Sequence, residues 1–192
     1  MAALLAVVPG ATVVGDPATE VTSLAYDSRR VAPGSLFFCV PGLRADGHDF
    51  ASKALANGAV ALVCERELDL DATQVVVPSL RRAMALMSAR FFGDPTVQLR
   101  VVGVTGTNGK TTTAHLVAQI LACAGLRPAL LGTVINRIGG ADTPVTLTTA
   151  ESCDLQAMFA AMVRAGDLSC AMEASSHALA LERVTGIDFD AV

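Results

Sequence analysis

Leu99-Arg-Val-Val-Gly-Val-Thr-Gly-Thr-Asn-Gly-Lys-Thr-Thr112 carries an apolar run into a glycine-rich turn and out into a helical pattern that continues to Cys123. A strand, a tight loop and a helix in that order form a phosphate cradle. Glycines let consecutive N–H groups face inward, and the helix N-terminus adds a potential that favours an anion. The cradle comprises Gly106, Thr107, Asn108, Gly109, Lys110, Thr111 and Thr112. Lys110 is expected to reach terminal phosphates and the Thr111 hydroxyl to ligate magnesium. The loop is a variant of the commonest nucleotide-binding pattern: Val104 stands five residues before Gly109, with Gly103 and Gly106 on either side. In the helix from Lys110 to about Cys123, Leu116, Val117, Ile120 and Leu121 read as the buried stripe, and His115 as a solvated residue.

Downstream, strand (129–131), helix (155–164), strand (168–172) and a helix from Ser176 alternate, which calls for a parallel sheet covered on both faces. Glu173 follows the 168–172 strand directly. A carboxylate at the C-terminal end of a parallel strand lies in the crevice where open α/β sheets bind ligands, positioned to hold magnesium beside Thr111. Lys110 and Glu173 are therefore the expected catalytic charge stabilisers, and Thr111 and Glu173 the expected metal ligands. The last residues, Phe189-Asp-Ala-Val192, read as the opening of a further strand, so the expectation is a fragment of a longer chain.

Upstream, residues 21–26 and 35–40 read as strands joined through Pro33-Gly34 as a hairpin or tight connection. A helix is expected over 49–57, ending at Gly58, then a buried strand at 59–64 and a further strand at 75–77. Leu80, Met84, Met87 and Phe91 then recur at helical spacing. Phe92-Gly-Asp-Pro-Thr96 closes that helix, which puts the domain division near residue 97: 1–97 and 98–192. The fold class expected is α/β, a small αβ domain followed by the start of a P-loop-type doubly wound, mostly parallel sheet.

Composition excludes several alternatives. With 14 Lys+Arg against 18 Asp+Glu, formally −4, the 192-residue chain is no non-specific polyanion binder, so no nucleic-acid partner is expected. No apolar run approaches the roughly 18 residues of a membrane helix. MAALLAVVPG lacks the basic start of a secretory signal, so neither membrane nor export is expected. Five cysteines without a close pair suggest neither zinc site nor disulfide framework, and hence reducing cytoplasm. Aromatics at 4% are too sparse for base stacking.

The loop Gly106-Thr-Asn-Gly-Lys-Thr-Thr112, the segment Ala171-Met-Glu-Ala-Ser-Ser-His-Ala-Leu179, and Asp27-Ser-Arg29 with Asp46-Gly-His48 together resemble the Mur ligase family across essentially the whole chain. The Met-Glu-x-Ser-Ser-His segment and the Asp-Ser-Arg set are most similar to members that add the third peptide residue of the peptidoglycan precursor. The resemblance implies that residues 1–97 hold the UDP end of the substrate and that 98–192 begin the ATPase domain. Carried over, Tyr26, Ser28, Leu43, Arg44 and Ala45 would contact UDP, and Thr148, Thr149, Ser175 and Arg183 the sugar-peptide portion. Arg29 reads either as a diphosphate clamp or as an ordinary ion pair. His48 and His177 read as packing groups or ligand neighbours.

The implied chemistry is ATP- and Mg2+-dependent amide formation in a cytoplasmic monomer. Its partners would be UDP-N-acetylmuramoyl-L-alanyl-D-glutamate and a diamino acid, expected to be meso-2,6-diaminopimelate with L-lysine as the alternative, joined through an acyl phosphate. The family's metal histidine, carbamylated lysine and amino-acid-selecting domain would lie downstream of Val192. The piece alone is accordingly expected to bind substrate without turnover. The rival readings are a non-catalytic nucleotide-binding module and a folylpolyglutamate synthetase.

Overall fold

Short β-branched and apolar runs assemble into two five-stranded sheets, one in each half of the chain. The structure is a computed structural model; it describes residues 1–42, 45–145 and 147–192, which form two compact units, Met1–Arg90 and Phe91–Val192.

The first unit runs α1 (Ala2–Leu5), β1 (Thr12–Val14), β2 (Ser23–Ala25), β3 (Ser35–Phe38), a 3₁₀ turn (Gly47–Phe50) leading into α2 (Ala51–Ala56), β4 (Ala59–Cys64), β5 (Thr73–Val76) and α3 (Leu80–Phe91). The strand order is β1-β5-β4-β3-β2, with β2 to β5 parallel and β1 antiparallel at the edge. β3, flanked by β4 and β2, is buried at all four residues, and Leu36, Phe37, Phe38 and Leu62 are wholly enclosed. Such unbroken apolar runs are what a sheet covered on both faces requires. Leu80, Met84 and Met87 of α3 are buried as their spacing predicts, and the Leu80 N–H donates to the Glu65 carboxylate at 2.9 Å.

The segment 21–40 is not a hairpin. β2 and β3 pair in parallel, Ser23 opposite Ser35 and Leu24 opposite Leu36. Residues 26–34 therefore carry the chain back to the edge where β2 began. Thr22 N–H donates to the Gly34 carbonyl and Gly34 N–H to the Gly58 carbonyl, each at 3.0 Å, which pins the starts of neighbouring strands together. Gly34 has φ +85°, and a Cβ there would lie 2.1 Å from Thr22 Oγ1. Pro33-Gly34 is the tight end of a return loop.

The second unit runs from a 3₁₀ turn (Pro95–Gln98) through β6 (Arg100–Val104), α4 (Lys110–Cys123), β7 (Pro128–Leu131), β8 (Asn136–Ile138), β9 (Ala141–Thr143), α5 (Ser152–Ala165), β10 (Ser169–Glu173) and α6 (Ser176–Ala180). The order is β6-β10-β7-β8-β9, three parallel strands extended by an antiparallel hairpin. That hairpin turns on Gly139 and Gly140, both at positive φ (58° and 81°), as a two-residue turn of this hand demands. Beyond β6, Val102 forms an isolated parallel bridge with Ala191.

Period-two alternation builds two cores. Cys170 and Met172 join Val101, Leu131, Leu155 and Phe159 on the α5 face, while Ala171 meets Leu130 and Ala114 on the α4 face. The stripe expected on α4 needs correction. The helix seats itself through Ala114, Val117 and Ala118, while Leu116 and Ile120 are 60% and 68% exposed. Both faces of α4 are apolar, and the face with small residues lies closer to the sheet. Among the described residues no helix is long and apolar enough to cross a membrane.

Candidate functional site

β6 ends at Val104 and the exposed loop 105–109 follows, with Gly106 at φ +145° and Gly109 at φ +80°. Gly109 stands at the N-cap of α4 with no side chain to bond the helix end. The N–H groups of the first turn thus remain for an outside acceptor, in keeping with an anion cradle. Lys110 Nζ donates to the Gly106 carbonyl at 2.7 Å, so the ammonium is held over the loop it follows. Thr111 is half-buried in the first turn, and Thr107, Asn108 and Thr112 are exposed.

Glu173, fully buried, closes β10 in register with Val104, the residue at which β6 enters the loop, and Ala174 N–H donates to the Val104 carbonyl at 2.9 Å. The carboxylate is held by one residue: Thr133 N–H donates to Oε1 at 2.9 Å and Thr133 Oγ1 to Oε2 at 3.0 Å. Gly132 makes room for it, because a Cβ there would stand 2.7 Å from Oε1. Each carboxylate oxygen keeps a further lone pair. Glu173 and Thr111 are hard oxygen donors of the kind that magnesium takes from a protein when phosphates supply the rest, so the residues fit that ion.

Four expected substrate positions fall into one network around this carboxylate. Thr148 Oγ1 lies 3.4 Å from Thr133 Oγ1. Thr149, buried, donates to the Glu173 carbonyl at 3.0 Å and accepts from Ser175 N–H at 3.2 Å. Ser175 caps α6 through Ala178 N–H at 3.1 Å. Arg183 donates to the Thr149 carbonyl at 3.0 Å and pairs with Glu151 at 2.7 Å, both side chains little exposed. Two arms of this guanidinium are thus engaged inside the protein. Thr133 and Glu151 were not singled out in the sequence, since no local motif marks them. His177 is exposed on α6, so it is no packing group.

In the first unit a cavity of about 430 Å³ is lined by Tyr26, Asp27, Ser28, Arg29, Phe37, Val40, Ala45, Gly47, Phe50 and Lys53. Tyr26, Ser28 and Ala45 therefore meet around one space; Leu43 and Arg44 lie outside the described residues. Arg30 sits over the Tyr26 ring, 5.8 Å from its centre. Asp27 accepts from Arg29 N–H and Nε, each at 2.9 Å, and from Nη2 at 2.6 Å. The side-chain bonds from Arg29, followed by its backbone N–H, hold the Asp27 carboxyl down to about 2.

The wall 45–48 is tied down by Asp46, which accepts from His48 N–H at 3.0 Å and lies 2.6 Å from His48 Nδ1. His48 Nε2 accepts from Glu65 N–H at 3.1 Å, so the ring proton belongs on Nδ1. These bonds from His48, its backbone N–H foremost, lower the Asp46 pKa. His48, buried, is a fastening for the wall. Gly47 is obligatory, because a Cβ would approach Val40 N to 2.4 Å.

Comparison with known proteins bears on both units. The Mur ligase middle domain profile matches residues 104–192, and the profile described as Mur ligase family, catalytic domain, matches 20–92. The UDP-N-acetylmuramoyl-L-alanyl-D-glutamate--2,6-diaminopimelate ligase of Geobacillus thermodenitrificans is 49% identical over 187 residues, 97% of this chain and 38% of that protein. Its Geobacillus kaustophilus counterpart is 48% identical over the same shares. A solved structure of a ligase of that name superposes with a TM-score of 0.76 at 32% identity, covering 89% of this chain and 35% of the other. The chain thus spans a little over a third of the length of the relatives it matches. Its two halves answer in order to two domains of one architecture, and it belongs to the Mur ligase family.

Proposed function

We propose that the chain provides the UDP-substrate pocket and the phosphate loop of an ATP-dependent amide ligase. The enzyme would join a diamino acid to UDP-N-acetylmuramoyl-L-alanyl-D-glutamate in the cytoplasm. The observation that carries this reading is the register of β10 on β6, which sets the buried Glu173 level with Val104, where the Lys110 loop departs. The names borne by relatives at 48–49% identity support meso-2,6-diaminopimelate over L-lysine as the incoming residue.

The reaction suits these residues. A carboxylate of the substrate attacks the γ-phosphorus of ATP; the bond from that phosphorus to the bridging oxygen breaks, leaving ADP and an acyl phosphate. The amine then adds to the acyl carbon and phosphate leaves. No side-chain nucleophile is needed, so in-line positioning and charge neutralisation supply the rate. Lys110 would exchange the Gly106 carbonyl for phosphate oxygens, and the N–H groups of the α4 first turn would hold the remainder. Magnesium, held by Thr111 and Glu173, would neutralise phosphate charge. Thr148, Thr149, Ser175 and Arg183 would orient the sugar-peptide portion, and Tyr26, Ser28, Leu43, Arg44 and Ala45 the uridine nucleotide.

The test has two arms. A fluorescent ADP analogue should bind the 192-residue chain with Mg2+ and be displaced by ATP. UDP-N-acetylmuramoyl-L-alanyl-D-glutamate should bind independently of it. In the complete protein, phosphate release should require the UDP substrate and meso-2,6-diaminopimelate; release driven equally by L-lysine would reassign the amine. Indifference to the UDP substrate in both arms would defeat the ligase reading and leave a nucleotide-binding module.

A further inference from the structure

We propose that Lys53, a residue with no sequence motif around it, is the cation that meets the diphosphate of the uridine nucleotide in the first unit's cavity. The inference rests on the reading of that cavity as the UDP pocket. Among the described residues three charged side chains line it: Asp27, Arg29 and Lys53. Arg29, the natural candidate for a phosphate clamp, is closed on Asp27 through its backbone N–H, Nε and Nη2, and its side chain is 80% exposed. That pair adds no net charge to the wall, and breaking it would strip the carboxylate of two side-chain donors, Nε and Nη2.

Lys53 differs on both counts. It lies on α2 and lines the cavity, and among the described residues it forms no ion pair. The remaining walls are apolar at Phe37, Val40 and Phe50, surfaces suited to the face of a base and the carbon side of a ribose. A space with apolar walls, one self-neutralised pair and one uncompensated ammonium selects a ligand that is flat and uncharged at one end and anionic at the other. The lysine stem is long and free to turn, so its three donors can follow phosphate oxygens as a point charge.

Calorimetric titration of the 192-residue chain with uridine, UMP and UDP at low salt tests this. In the natural chain, affinity should rise with each phosphate. Lys53→Met should weaken UDP about tenfold, the scale of one charge-assisted contact, and leave uridine unchanged. Lys53→Arg should restore most of the loss, and the salt dependence of UDP binding should flatten in Lys53→Met alone. The double variant Asp27→Asn/Arg29→Met, which removes the self-neutralised pair whole, should keep the natural chain's UDP-to-uridine ratio. A ratio unaltered by Lys53→Met overturns the assignment. So does a loss shared equally by uridine, because the lysine would then only shape the pocket. If the natural chain binds neither uridine nor UDP, the pocket reading itself fails and takes this inference with it.

Discussion

The phosphate loop and the first-unit cavity are built on opposite plans. The loop offers consecutive backbone groups from one segment, with a single side chain, Lys110, folded over them. The cavity draws walls from β3, the 45–50 segment, α2 and the turn after β2, and its chemistry is in side chains. A site made of main chain tolerates exchange of most side chains but depends on its glycines and its lysine. A site made of side chains depends on whatever fixes the walls. The Glu173 network belongs to the second kind although it adjoins the first.

The largest expected effect separates buried from exposed charge. Arg183→Met leaves the Glu151 carboxylate enclosed without its 2.7 Å partner, which should cost the second unit about 3 kcal/mol. Urea unfolding followed on β10 amide signals measures it. A loss of about 1 kcal/mol or less, the range of solvent-exposed pairs, would mean that water reaches this pair and that the network is no rigid support.

Lys110→Ala probes the main-chain plan itself. Affinity for the fluorescent ADP analogue should fall about a hundredfold if the ammonium carries a charge-assisted bond to phosphate. Retained affinity would show that the loop amides suffice. The corresponding break in the cavity is Gly47→Ala. With backbone atoms of Val40 and Cys39 at 2.4 and 2.5 Å from the new Cβ, neither neighbour can yield by side-chain rotation. The first unit should lose about 2 kcal/mol by thermal unfolding, and UDP binding should fall with it. Full stability would mean that the 45–48 wall is free to shift.

The same difference explains what was legible beforehand. Gly106, Gly109, Lys110 and the adjoining strand and helix are contiguous, so a short stretch states their chemistry. Glu173 was legible because it ends a recognisable strand, but Thr133, which holds it, lies 40 residues away and carries no pattern. Tyr26, Ser28 and Ala45 were assigned through family resemblance; Phe37, Phe50 and Lys53 join them only once β3 and α2 are folded. Hydropathy misplaced Leu116 and Ile120 because α4 is apolar on two faces, and only packing against Leu130 and Ala171 chooses between them. The Gly139-Gly140 hairpin carries its own signal, two adjacent glycines between short polar strands.

The smallest effect tests whether the cavity's ion pair is self-contained. Asp27 is held near 2, below the roughly 3.9 of an unfolded aspartate, chiefly by the side-chain bonds from Arg29. A depressed carboxyl contributes stability that is complete above about pH 4 and disappears as pH falls toward 2. Because the Arg29 side chain is mostly exposed, that contribution is modest, and carboxyl carbon shifts followed by NMR report it better than unfolding. In the natural chain the Asp27 signal should titrate near pH 2, and in Arg29→Met it should move up toward the ordinary range. Adding UDP should leave the natural midpoint in place, because a diphosphate met by Lys53 does not take Arg29 from its partner. An upward shift of that midpoint on UDP binding would mean that Arg29 had left Asp27 for the phosphates, and the cavity would then read its ligand through a clamp that opens.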